Sequence, residues 1–259
     1  MVILSFNGNL VDLLPRRYGR ASVLSVDLQR EASVKDVVES FGVPHPEIAK
    51  IVVDGIEVDF ACRVRGQMHI EIYPLSPATD FLSPSMLRPQ PLSGYRFIAD
   101  TNVRKLGVCL RQLGFDTMLA DGLRDNRIAA IAGCQRRILL TRDRGLLKRK
   151  IVEFGHLVRE KSPPAQLREV VALYGLRGAI KAFTRCLRCN GMLVPVEKKE
   201  VLPRLQPLTK LYYDVFHRCS SCGQVYWSGS HREKMGRELD DLLSCDETRE
   251  KGFPADREE

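Results

Sequence analysis

The sequence predicts a mixed α/β chain: a small α+β unit first, then a parallel sheet with flanking helices, then a compact metal-binding module. Three observations carry that expectation. Residues 1–75 alternate short apolar strands around one amphipathic helix, short apolar runs alternate with helical ones from Tyr95 onward, and two Cys-x-x-Cys pairs stand in the last third.

Taken in order, apolar alternation at Val2–Phe6 and Ser22–Leu28 predicts strands, and Ser33 caps a helix reaching Phe41. Ile51–Val53 and His69–Tyr73 are the next strands, with Asp54-Gly55 as a hairpin turn. Pro77, Pro84, Pro89 and Pro91 lie among serines in a stretch that resists helix and sheet, so residues 77–93 read as a linker. Strands follow at Phe97–Ala99, Thr117–Ala120, Ile138–Leu140 and His156–Val158. Helices alternate with them at Val103–Leu113 (ended by Gly114), Asn126–Cys134, Arg144–Lys150 and Pro164–Tyr174 (stopped by Gly175). The expected boundaries are therefore 1–76, a linker at 77–93, an α/β domain at 94–180, a zinc module at 181–239, and an acidic, disordered tail at 240–259.

With 259 residues and 44% hydrophobic content the chain can bury a proper core. No apolar run approaches the ~20 residues that cross a bilayer. Asn7-Gly8-Asn9 interrupts the region where a signal peptide would be apolar, so the expectation is a soluble, cytoplasmic chain without membrane association. The net charge of +8 is unevenly placed, at −1 for residues 1–99, +13 for 100–218 and −4 for 219–259. The basic middle makes RNA the expected partner.

Of eight cysteines, four form the pairs Cys186-x-x-Cys189 and Cys219-x-x-Cys222, separated by residues 190–218. Two such turns offer four thiolates at tetrahedral corners, and Gly191 and Gly223 let nearby amides turn toward sulfur, so one structural zinc ion is expected there. Cys62, Cys109 and Cys134 stand in apolar contexts and read as core residues, while Cys245 lies in the tail. His217 and His231 are expected to bond backbone or RNA. Tyr212, Tyr213, Tyr226 and Trp227 suit either base stacking or the module's own small core.

The acidic residues Asp100, Asp121 and Asp143 fall just after predicted strands, and Asp125 opens a helix. In an open parallel sheet chemistry gathers at the carboxyl ends of strands. Carboxylates brought together there repel unless a cation such as Mg or Mn neutralises them, which points to phosphodiester hydrolysis. The bland alternative is that each Asp merely caps a helix. Arg142, Arg144 and Lys148, just after the third strand, are the candidate contacts to a phosphate backbone.

Two resemblances sharpen these expectations. Ile51-Val-Val-Asp-Gly-Ile-Glu-Val-Asp-Phe60, Arg63-Val-Arg-Gly66 and Ile70-Glu-Ile-Tyr-Pro74 resemble the ThiS/MoaD type of ubiquitin-like β-grasp domain. Sulfur carriers of that type end in a free Gly-Gly, whereas this chain runs on from Pro74 through Leu75, Ser76 and Pro77, so the resemblance implies a recognition role with a possible protein partner. Phe97-Ile-Ala-Asp100, Leu110-Arg-Gln-Leu-Gly-Phe-Asp-Thr117, Ile138-Leu-Leu-Thr-Arg-Asp-Arg-Gly-Leu-Leu147, Arg185-Cys-Leu-Arg-Cys-Asn190 and Tyr226-Trp-Ser-Gly-Ser-His231 resemble the PIN-like RNase domain at the C-terminus of the Mut-seven exonuclease. That resemblance implies a metal-dependent ribonuclease with a zinc ribbon, fused to the ubiquitin-like unit, with Asp100, Asp121, Asp125 and Asp143 as catalytic Mg/Mn ligands. This chain departs from the family pattern at Asp125-Asn126-Arg127 and Asn102-Val-Arg-Lys105. A noncatalytic RNA- or ribosome-binding module is the alternative.

Overall fold

The computed structural model describes residues 1–28 and 30–227; the expected tail at 240–259, with Cys245, and His231 lie outside the described residues. Two compact units are present. One comprises Met1–Leu110 with Phe115–Gly178, and the other Arg111–Gly114 with the chain from Ala179 on.

The first unit opens with β1 (Val2–Phe6), β2 (Val23–Val26), β3 (Ala32–Ser33), α1 (Val34–Ser40), β4 (Ile48–Val53), β5 (Ile56–Glu57), β6 (Arg63–Val64) and β7 (Met68–Pro74). Its five-stranded sheet has the order β2-β1-β7-β4-β5, with β1 and β7 parallel at its heart and the other pairs antiparallel, a grasp-like arrangement. Alternation of buried and exposed residues along β1 turns Val2, Leu4 and Phe6 to the core. Asp54 and Gly55, both at positive φ, make the β4–β5 turn. The Ser33 hydroxyl accepts from the Asp36 amide at 3.1 Å and caps α1, whose Val34, Val37 and Val38 are buried.

Beyond residue 94 come β8 (Arg96–Ala99), α2 (Arg104–Gln112), β9 (Asp116–Leu119), α3 (Asp125–Cys134), β10 (Ile138–Thr141), α4 (Arg144–Leu147), β11 (Gly155–Leu157) and α5 (Pro163–Leu173). Four strands form a parallel sheet in the order β11-β10-β8-β9. All four residues of β10 are buried, as expected of a parallel strand covered on both faces. Gly107 of α2 permits close approach to the sheet, since a Cβ there would lie 2.5 Å from a Leu119 methyl and 2.7 Å from the Ala99 Cβ. Cys134 corrects an expectation: it is the exposed last residue of α3 and not a core residue, because the apolar stripe of that helix ends at Ile131 and Ala132.

Both sheets of this unit share one hydrophobic core, which takes Leu4, Ile51 and Ile70 from one side and Ile128, Leu139 and Leu147 from the other. Residues 77–93 hold neither helix nor strand, yet Phe81, Leu87, Arg88 and Leu92 are buried. The Arg88 guanidinium donates to the carbonyls of Ile48 (2.8 Å), Pro46 (3.0 Å) and Glu153 (3.3 Å), and lies 4.9 Å from the Phe81 ring centre. Buried Glu47 accepts from His156 Nδ1 (2.9 Å), the Leu157 amide (2.7 Å) and Arg159 (3.0 Å), while His156 Nε2 meets Glu169 at 2.8 Å. Burial alone would lower the His156 pKa, but the two carboxylates raise it to about 9, so the imidazole stays charged.

The second unit carries β12 (Leu193–Val196), α6 (Lys198–Val201), α7 (Pro207–Tyr212), β13 (Phe216–Cys219) and β14 (Val225–Trp227). Its antiparallel sheet has the order β12-β13-β14, over a small core of Val201, Leu205, Phe216 and Val225. Among the described residues no helix is long and apolar enough to cross a membrane.

Candidate functional site

Neighbouring strands β9, β8 and β10 run parallel and end at one edge, and an aspartate follows each within two residues: Asp121, Asp100 and Asp143. Asp125 is the exposed first residue of α3. Asp100 Oδ2 accepts from the Thr141 hydroxyl at 2.6 Å and from Asn102 Nδ2 at 2.6 Å, and Oδ1 accepts from the Thr101 amide at 2.7 Å. The same Thr141 oxygen accepts from the Asp143 amide at 3.0 Å, and Asn102 Oδ1 accepts from the Arg142 amide at 3.1 Å. The ends of β8 and β10 are thus locked together through two side chains. Asp143 Oδ1 caps α4 by accepting from the Gly145 amide at 2.7 Å. Asp121 is held differently, accepting from Arg104 Nε at 2.8 and 3.1 Å in a pair about half exposed at both ends.

Of the predicted phosphate contacts, exposed Arg142 donates to the Glu160 carbonyl at 2.8 Å. Arg144 donates to the Leu13 carbonyl and Lys148 to the Glu39 carbonyl, each at 2.6 Å. Sequence reasoning did not single out Thr141 or Asn102. The available signal was a hydroxyl closing a fully buried strand, since a buried hydroxyl requires a hydrogen-bond partner.

In the other unit the two Cys-x-x-Cys turns share one backbone pattern. Asn190 N donates to Cys186 O at 2.9 Å and Gly223 N to Cys219 O at 3.0 Å; Cys186 N donates to Gly191 O at 2.8 Å and Cys219 N to Gln224 O at 2.9 Å. The residue closing each turn is left-handed, Asn190 at φ 70° and Gly223 at φ 71°. The four sulfurs lie within 4.8 Å of one another, with Cys186–Cys222 at 3.6 Å and Cys189–Cys219 at 3.4 Å. A tetrahedral zinc site with ~2.3 Å bonds sets sulfurs ~3.8 Å apart, so the cluster fits that ion. Amides of Cys189 and Ser221 point at sulfur, both at 3.4 Å. Gly191 is needed at this spot, because a Cβ would lie 2.5 Å from Ser221 Oγ and 2.9 Å from Cys219 Sγ.

Tyr226 belongs to this cluster: its hydroxyl lies 3.1 Å from Cys186 Sγ and accepts from the Leu187 amide at 3.1 Å. Trp227 sits against Phe216, with ring centres 6.5 Å apart, whereas Tyr212 is exposed. Burial disfavours the Cys186 thiolate, but hydrogen bonds from Tyr226 and nearby amides bring its pKa down to about 6. Cys189 receives an amide contact from Gly191 that favours the thiolate, yet burial and contacts with the other thiols push it up to about 12. Four adjacent thiols cannot all ionise without a cation to neutralise them. Among the described residues they form the group of His, Cys, Asp and Glu side chains compact enough to hold a metal ion; the four aspartates are not drawn to that spacing, and half-buried His217 lies outside the group.

The Mut7-C RNAse domain model matches residues 95–239, and the Mut7-C ubiquitin model matches residues 1–80. The chain belongs to the Mut7-C RNase domain family. No curated protein and no solved structure matches it. In this Mut7-C member the RNase-type region contains both the aspartate-bearing sheet edge and the cysteine cluster. The edge offers hard carboxylate oxygens and the cluster soft thiolates, two donor sets suited to different cations.

Proposed function

We propose that the chain is a metal-dependent ribonuclease that hydrolyses RNA phosphodiester bonds at the aspartate edge, and that the four cysteines hold a structural zinc ion. The observation that carries the nuclease reading is the lock Asp100–Thr141–Asp143, which fixes two carboxylates from neighbouring parallel strands at the edge where chemistry gathers. Carboxylate oxygens on solvent-accessible residues fit Mg or Mn in kind, with Asp100 and Asp143 as the first ligands; Asp121 and Asp125 flank them without being drawn to ligand spacing and would have to move in to join. When bound, such an ion supplies an activated water and neutralises charge on the phosphate.

The chain's own groups prepare that chemistry. Thr141 and Asn102 both donate to Asp100 Oδ2, which fixes the orientation of that carboxylate. Arg142 lies on the exposed rim, where its guanidinium can take a phosphate. RNA is the substrate class that the family and the basic middle of the chain support.

A second reading, a noncatalytic RNA-binding module, is favoured by the spacing of the four aspartates, which do not close around one point, and by one contact. Arg104 already neutralises Asp121, so that carboxylate needs no metal. Incubating labelled single-stranded RNA with Mn or Mg separates the two, comparing wild type with Asp143→Asn at equal zinc content. Asn caps helices about as well as Asp, so α4 survives the exchange. The nuclease reading expects cleavage that falls by ~100-fold or more; RNA binding with no cleavage by wild type under any divalent ion supports the module instead.

A further inference from the structure

We propose that the turn Pro15–Arg20 of the ubiquitin-like region is a phosphate-binding arm beside the aspartate edge, gripping the RNA backbone through Arg16, Arg17 and Arg20. This rests on the ribonuclease reading of that edge.

Its position follows from contacts of residues at the carboxyl ends of β10 and β11. Arg144, which follows Asp143, donates to the Leu13 carbonyl at 2.6 Å. Arg159, two residues past the end of β11, makes a long contact to the Asn9 carbonyl at 3.5 Å and a firm one to Glu47 at 3.0 Å. The 3-10 segment Gly8–Leu13 therefore passes the β10 and β11 end of the edge that carries Asp143, and the arginine turn continues directly from it.

The turn is built to hold its shape. Tyr18 N donates to Pro15 O at 2.9 Å and Gly19 N to Arg16 O at 3.0 Å, with Gly19 at φ 60°. The Tyr18 ring lies 5.5 Å from Phe41, and the Arg17 guanidinium stacks over Tyr18 at 4.8 Å, which fixes its plane. Pro15 fits against Gly42, where a Cβ would stand 3.4 Å from the proline ring.

Charge supplies the partner. Arg16, Arg17 and Arg20 are exposed, and none forms an ion pair with a described residue. Residues 1–99 carry a net −1, so this cluster of three guanidinium groups stands out within an otherwise balanced region. All three are arginine, whose planar fork matches phosphate oxygens in pairs. A solvated surface without a polyanion would gain nothing from holding three like charges together on an ordered turn.

The test uses the full chain, zinc-loaded, and fluorescence anisotropy with labelled oligouridine over a salt series. Compared are wild type, the triple variant R16A/R17A/R20A and the triple variant R16K/R17K/R20K. Loss of three phosphate contacts lowers the slope of log K against log salt by about 2, so wild type loses ~20-fold more affinity than the alanine variant between 50 and 200 mM salt. The lysine variant should keep the wild-type slope, which separates charge from folding. An alanine variant that binds with unchanged slope and affinity overturns the arm while leaving the nuclease reading intact; the latter is judged by Mn-dependent cleavage in wild type. A wild type that binds no oligouridine at low salt overturns the arm outright.

Discussion

The cysteine cluster and the aspartate edge hold their ligands in opposite ways. Each Cys-x-x-Cys turn is shaped by its own backbone hydrogen bonds and a left-handed residue, and the pairing of β12 with β13 brings the two preformed turns together. At the aspartate edge, residues 41 apart in sequence are tied by Thr141 and Asn102, and each carboxylate of the lock also satisfies a backbone amide. Each half of the thiolate cluster is thus written into a local turn, while the aspartate edge depends on the whole sheet beneath it. The sheet depends in turn on the buried ionic junction, because Glu47 bonds the amide of Leu157 at the end of β11.

The largest effect expected is on the cysteine side. Cys186→Ser, or treatment with a strong chelator, should abolish zinc binding and unfold β12–β14, since structural zinc contributes on the order of 10 kcal/mol to small modules. Elemental analysis and amide exchange of that sheet read this out. Next is the junction: Glu47→Gln leaves His156 and Arg159 charged beside a neutral partner and should cost about 3–5 kcal/mol, visible as a lower Tm for the first unit.

The same junction sets a pH window. The folded pKa of His156 is raised to about 9 from 6.5, so its contribution is complete below pH 6.5 and is lost as pH rises through 9. Burial opposes ionisation of Glu47 and Glu169, but His156 together with backbone amides and, for Glu47, the Arg159 guanidinium lowers both, so their contribution is lost in acid. Thermal melts should find this unit most stable between the carboxylate range and pH 6.5; His156→Gln should flatten the alkaline limb.

Smaller effects probe the edge itself. Thr141→Val should cost about 1–3 kcal/mol by leaving buried hydrogen-bonding groups without their partner, and should reduce RNA cleavage more than Tm alone explains. Arg104→Ala should change stability by less than ~1 kcal/mol, because the pair is exposed; cleavage at limiting Mn should rise as Asp121 is freed.

These contrasts also explain what could be read from sequence. The strand and helix order, the Ser33 cap, the Asp54-Gly55 turn and the stop at Gly114 are local signals, and they appear in the fold within a few residues. The cysteine pairs were legible for the same reason. The strand-end position of the aspartates was legible too, but not their partners, because Thr141 stands just past the expected strand Ile138–Leu140 and nothing in the sequence ties Arg104 to Asp121, 17 positions on. The junction was invisible: Glu47 and His156 are 109 positions apart, and neither carries a local mark of its partner. Arg88 lay inside a proline-rich stretch read as a linker, where nothing announced that its guanidinium would be buried against three carbonyls.

The measurement closest to the central claim is a titration of the zinc-loaded chain with Mn(II), followed by electron paramagnetic resonance, for wild type and for Asp100→Asn. Wild type should bind Mn tightly, and the variant at least tenfold more weakly with zinc content unchanged. Wild type that leaves all Mn free, or binds it equally well after Asp100→Asn, would contradict a carboxylate metal site at the sheet edge.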